Sequence, residues 1–193
     1  MRRDWPELAG DMGDLWVFGY GSLMWRPGFA FAERQGARLA GYRRALCISS
    51  HVHRGTPERP GLVLGLDRGG SCKGVAFRVE PAAIHETMAY LRGRELVTNV
   101  YLERIVPVRL EDGSRVEAVT YVVDRRHAQY AGGLDAEEAA RRVSGASGVS
   151  GDNPDYVMNT VAHLRAMRIH DALLEGVFHW LERGLAARQG VSG

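Results

Sequence analysis

A chain of 193 residues with 45% hydrophobic and 25% charged content has an ordinary globular composition and is long enough to bury one substantial core. Its 25 lysines and arginines against 23 acidic residues give a formal charge of +2, and the basic residues are scattered rather than massed, which argues against nucleic acid as a partner. No stretch approaches the roughly eighteen apolar residues of a membrane span, and Asp4, Pro6 and Glu7 follow Arg2 and Arg3 too closely for a signal peptide. Cys47 in an apolar run and Cys72 beside a Gly-Gly-Ser turn make no disulfide framework, so a reducing compartment and cytoplasmic residence are expected.

The first element is a short apolar strand, Trp16 to Gly19, which ends in a Gly-Tyr-Gly-Ser turn. Arg38 to Ser50 reads as extended, and a polar loop from His51 to Pro60 interrupts it. Leu62 to Leu66 and Gly74 to Val79 flank Arg68-Gly69-Gly70-Ser71, a hairpin signal; Ile105 to Leu110 and Val116 to Val123 flank a second, Glu111-Asp112-Gly113-Ser114. About five or six strands joined by short turns predict a curled antiparallel or mixed sheet or a small barrel.

Helices take over at the edges. Pro81 suits a first helical position, and Ile84, Met88 and Leu91 recur at helical spacing. Asp135 with Glu138 resembles a capping box that opens a short helix running into Ser144. Ser144 to Gly151 reads as a flexible loop. Asn153-Pro154 then starts a helix, with asparagine as its cap and Val157, Val161 and Leu164 on its apolar face. A last helix, Asp171 to Ala187, presents Leu173, Leu174, Val177, Phe178 and Leu181. The fold class is therefore α/β, of the mixed α+β kind, with 1–15 expected as an N-terminal extension, 16–187 as one domain and 188–193 as a C-terminal tail.

Glycines at 19 and 21 permit close approaches that a Cβ would block, so the turn can aim several N–H groups at one carboxylate, phosphate or oxyanion. An equally ordinary reading is a tight turn or bulge. The dinucleotide fingerprint is excluded because Met24 stands where its third glycine belongs, and the Walker loop by the missing Gly-Lys-Ser/Thr. Ser22 has Tyr20 and Met24 where a nucleophile elbow needs glycines, so it reads as a hydrogen-bond donor.

One further turn beyond Ile84, Met88 and Leu91 lands on Glu95. The apolar face of that helix then ends in a carboxylate driven toward the core, with its pKa raised. The competing reading breaks the helix at Gly93 and leaves Glu95 exposed or paired with Arg92 or Arg94. His51 and His53 share a face if extended, but no glutamate or cysteine at ligand spacing completes a metal site. His53-Arg54-Gly55 can border a ligand or lie solvated, and Tyr156 can close over a ligand or pack on the sheet.

Taken together, Trp16-Val-Phe-Gly-Tyr-Gly-Ser-Leu23, His53-Arg-Gly-x-Pro57, Tyr90-Leu-x-x-x-Glu95, and Gly148-x-Ser-Gly-x-Asn153 with Tyr156 resemble the ChaC-like γ-glutamylcyclotransferases in their glutathione-specific branch. The resemblance spans Trp16 to roughly Leu181. It implies a small barrel-like mixed sheet surrounded by helices, no cofactor, no metal and no membrane or nucleic-acid partner. The implied substrate is a small molecule, glutathione or another γ-glutamyl compound, with Gly19, Tyr20, Gly21, Ser22, Leu23 and Met24 holding the γ-glutamyl group and Glu95 transferring the proton. The implied reaction is intramolecular: the α-amine of the γ-glutamyl group attacks its own γ-carbonyl, giving 5-oxoproline and, from glutathione, cysteinylglycine. Two rivals keep the turn: the same chemistry on other γ-glutamyl amino acids or amines, and a non-catalytic module that captures a small acid.

Overall fold

A computed structural model describes residues 14–96 and 98–189; most of the N-terminal extension and residues 190–193 of the tail lie outside the described residues. Five strands, β1 (Leu15–Gly19), β2 (Glu33–Ser50), β3 (Gly61–Val79), β4 (Tyr101–Leu110) and β5 (Arg115–Val123), close into a barrel in the order β1-β3-β2-β4-β5. The small barrel-like mixed sheet expected from the sequence is the fold observed. Strand β1 pairs antiparallel with β3, Leu15 opposite Val79 and Gly19 opposite Val75, and parallel with β5, Trp16 opposite Ala118 and Val17 opposite Val119. Closure thus gives this five-residue strand a partner along both edges.

One expected hairpin is absent. Arg68 to Ser71 lies inside β3, which runs unbroken for 19 residues. Gly69 and Gly70 do adopt the left-handed φ values, +102° and +71°, that a hairpin turn demands. The chain nevertheless continues forward, because the segment beyond, Val75 to Val79, is committed to β1 rather than to the first half of β3. The paired glycines hold positive φ values inside a continuous strand.

The chain divides into two compact units: one takes the chain up to Arg43 together with Arg68–Val122, the other Arg44–Asp67 and the chain from Val123 onward. In the first, Pro81–Ala83 forms a 3-10 turn that leads into helix α1 (Ile84–Glu95). Met88 and Leu91 of α1 pack on Leu15, Val17, Leu23, Val79, Val119 and Tyr121, so the expected 3.6-residue periodicity does seat the helix on the barrel.

In the second unit, α2 (Ala136–Val143), α3 (Asn153–Ala166) and α4 (Ala172–Gln189) supply Ala139, Ala140, Val143, Val157, Val161, Leu164, Leu174, Val177 and Leu181 to the core. Asp135 caps α2 as expected, accepting from Glu138 N at 2.8 Å. The segment expected as a flexible loop, 144–151, instead carries a two-stranded hairpin, with β6 (Ser147–Gly148) paired to β7 (Gly151–Asp152).

The expected role of Asn153 also needs correction. Asp152 takes the cap position, and Asn153 is fully buried as the first helical residue. Its amide completes a two-bond clasp on the backbone of β3: Oδ1 accepts from Leu62 N at 2.7 Å and Nδ2 donates to Leu62 O at 2.8 Å. A cap satisfies one orphan N–H, whereas this clasp satisfies a buried donor and a buried acceptor together. Asn153→Ala leaves both Leu62 groups without a partner and is expected to cost about 2–4 kcal/mol of stability, read as a lowered urea midpoint. A midpoint within error of the native one would contradict the clasp.

Candidate active site

The Gly-Tyr-Gly-Ser turn rises from a fixed base. Thr120 Oγ1, wholly buried, donates to Phe18 O at 2.9 Å at the end of β1. Ser22–Met24 then makes one 3-10 turn, closed by Met24 N donating to Gly21 O at 2.9 Å. Gly19 suits a close approach: a Cβ there would press to 3.0 Å against Leu23 Cβ, so Leu23 would have to give way. Leu23 and Met24 bury their side chains, Leu23 in the barrel core, whereas Ser22 faces solvent. Met24 N–H is spent on closing the turn, and the N–H groups of Ser22 and Leu23, at its start, have no acceptor within it.

Glu95 ends α1 on the face that carries Met88 and Leu91, and its side chain is only 17% exposed. Both readings of this residue hold in part. The helix does carry the carboxylate inward past Gly93, and Arg94 Nε also pairs with Glu95 Oε1 at 3.2 Å. Burial withholds water from the ionised form and raises the Glu95 pKa above the ordinary 4.5, while the Arg94 charge pulls the other way without cancelling it.

Arg94 joins this carboxylate to the turn. Its Nη2 donates to Ser22 Oγ at 2.8 Å, and Nη1 donates to Arg26 O and to Tyr90 Oη, each at 2.9 Å. A single guanidinium therefore touches both features that the sequence singled out. In sequence terms Arg94 registers only as a possible neutralising neighbour of Glu95; its position four residues after Tyr90 is the local signal, since helical neighbours at that spacing face each other.

Tyr121 on β5 completes the surroundings. It is 1% exposed, donates its hydroxyl to Glu103 Oε2 at 3.1 Å, and senses the charge of Glu95. Burial first, then Glu103 and Glu95, push its pKa far up, so it remains a neutral phenol. Arg92 grips Glu103 with two bonds, Nε to Oε2 at 2.9 Å and Nη2 to Oε1 at 2.7 Å.

The remaining candidates lie in the second unit. His53 Nδ1 is 3.0 Å from Ser150 Oγ, and Arg54 Nη1 donates to Asp152 O at 3.2 Å, so both hold the β6–β7 hairpin. Tyr156 packs on the sheet: its hydroxyl accepts from Leu64 N at 3.2 Å, and Arg54 lies over its ring at 5.2 Å. Among the described residues no group of three or more His, Cys, Asp and Glu side chains could hold a metal ion, and no helix is long and apolar enough to cross a membrane.

The family model described as ChaC-like protein matches residues 15–183. The chain belongs to the ChaC-like family. This ChaC-like chain is 35% identical over 161 residues to the glutathione-specific gamma-glutamylcyclotransferase of Escherichia coli, a match covering 83% of the chain and 70% of that relative. It is 33% identical over 157 residues to the human glutathione-specific gamma-glutamylcyclotransferase 1, covering 79% and 71%. A yeast gamma-glutamyl cyclotransferase specific to glutathione, solved by crystallography, shares the fold of the ChaC-like chain with a TM-score of 0.77 at 24% identity, over 88% of this chain and 98% of that one.

A raised carboxyl pKa has a consequence for stability. Between the ordinary value and the raised one, the native state binds the Glu95 proton more tightly than the unfolded state, so stability falls as pH rises through that window. Below 4.5 the penalty is absent, and above the raised value it is complete. The stability difference of Glu95→Gln over native protein should therefore be flat in acid and grow in favour of the variant toward neutral pH, as measured by denaturant unfolding across the range. A difference that shrinks with rising pH would mean that Arg94 outweighs burial.

Proposed function

We propose that this chain is a glutathione-specific γ-glutamylcyclotransferase, in which the turn from Gly19 to Met24 holds the γ-glutamyl group and Glu95 moves the proton. The observation that carries the reading is the link between the turn and the desolvated carboxylate through Arg94, in a chain whose relatives bear that activity in their names. Because nucleophile and electrophile belong to one molecule, the site has to hold a bent conformer, and well-oriented intramolecular reactions reach effective molarities of about 10⁵ M or more.

Proton transfer sets the demand on Glu95. An α-ammonium of pKa ~8 giving its proton to a carboxylate of ~4.3 faces an uphill gap of roughly 5 kcal/mol. Burial of Glu95 narrows that gap from the carboxylate side. Glu95 takes one proton from the α-ammonium, freeing the amine that attacks the γ-carbonyl, and returns it to the cysteinylglycine nitrogen as the C–N bond breaks; the second proton, shed by the attacking nitrogen as the lactam closes, ends on the same departing amine, which leaves as an ammonium. N–H groups at the start of the 3-10 turn and the Ser22 hydroxyl supply donors for the substrate carboxylate or the developing oxyanion.

Incubation of the purified chain with glutathione is expected to release 5-oxoproline and cysteinylglycine in equal amounts. Glu95→Gln, which keeps the shape and removes the base, should fold and lose at least about 10²-fold in rate. Near-native turnover by that variant would exclude Glu95 as the proton carrier, and turnover confined to other γ-glutamyl compounds would exclude the glutathione assignment.

A further inference from the structure

We propose that Arg94 is a positioning residue for the cyclisation, fixing the Ser22 turn and the Glu95 carboxylate in one frame; this rests on the activity proposed above. Its guanidinium uses all three nitrogens, to residues of its own helix and to the turn and the segment just after it. Nε pairs with Glu95, Nη2 donates to Ser22 Oγ, and Nη1 donates to Arg26 O and Tyr90 Oη. Three of these four acceptors are neutral, so the side chain does more than neutralise a carboxylate. With 26% of its side chain exposed, it is held by a rigid fork rather than by burial alone.

The direction of the bond to Ser22 matters. Arginine has no acceptor, so Ser22 Oγ must accept from Nη2, and the single Ser22 hydroxyl proton is left to donate elsewhere. That is the polarity a group binding a carboxylate or oxyanion requires. Arg94 thus orients a substrate donor on the turn while restraining the carboxylate that carries the proton.

The charge of Arg94 is also the counterweight to desolvation at Glu95. The other charged or titratable groups around Glu95 come from its own helix and from two strands: Tyr121 on β5, Glu103 of β4, which accepts from the Tyr121 hydroxyl, and Arg92 of α1, which pairs with Glu103. Glu103 and Arg92 form a tight pair of opposite sign, and Tyr121 stays neutral, so Arg94 is the cation whose removal Glu95 should register.

The test compares Arg94→Lys and Arg94→Gln for kcat, KM and the pH profile of kcat/KM with glutathione, each variant checked by its unfolding midpoint. Lysine keeps a charge near Glu95 but offers no planar fork for Ser22, Arg26 O and Tyr90 together. It should raise KM about tenfold or more and leave the acid limb near its native pH. Glutamine removes the charge as well, so kcat/KM should fall by about 10²-fold and the acid limb should move to higher pH. A purely structural role would lower the active fraction, and hence kcat, in both variants while leaving KM and the acid limb unmoved; that result overturns the proposal. If Arg94→Gln fails to fold, Arg94→Lys decides alone, and an unchanged KM overturns it. An inactive Glu95→Gln beside an unaltered Arg94→Gln removes this proposal and leaves the activity standing, whereas an active Glu95→Gln removes the activity's proton carrier itself.

Discussion

The site depends on a carboxylate that is denied water but left a cation. Glu95 lies on the apolar face of a helix whose preceding turns are anchored by Met88 and Leu91 in the barrel core. Full burial without a partner would keep the group protonated and useless as a base, and full exposure would leave it too weak to take a proton from an ammonium. Partial burial with the Arg94 guanidinium at 3.2 Å places the group between those limits.

The barrel makes this balance reproducible. Strand β1 is short, yet it is paired along both edges, and the Thr120 bond to Phe18 O fixes its end beside Gly19. The turn therefore leaves a rigid edge and doubles back tightly enough that a Cβ at Gly19 would crowd Leu23. Leu23 plugs the turn into the same cluster that holds Met88 and Leu91, so the turn and the glutamate-bearing helix share one packed foundation. Precise placement of reacting groups follows from elements whose own rotamers are locked by packing.

Much of this was legible locally. The spacing of Ile84, Met88, Leu91 and Glu95 marks a helical face, and the helix forms as that period demands. Asp135 and Glu138 mark a cap because the bond spans three residues. What escaped local reading has distant partners. Gly69-Gly70 carries the dihedrals of a hairpin, but the fate of the strand is set by β1, which precedes it by some fifty residues. Asn153 before proline looks like a cap, yet its amide is claimed by Leu62, 91 positions away. Arg94 is one arginine among many until the fold brings Ser22, 72 positions earlier, against it. The family resemblance singles out the turn and the glutamate; only the tertiary structure supplies the arginine that joins them.

The role proposed for Glu95, proton carrier of the cyclisation, rests on a pKa raised by burial. The most direct measurement is a carbon-13 NMR titration of the Glu95 side-chain carboxyl, set beside the acid limb of kcat/KM for the same protein. The carboxyl resonance and the kinetic limb should inflect at one common pH, above the ordinary 4.5. A carboxyl that titrates at or below 4.5, or a kinetic limb that does not follow it, would contradict the claim.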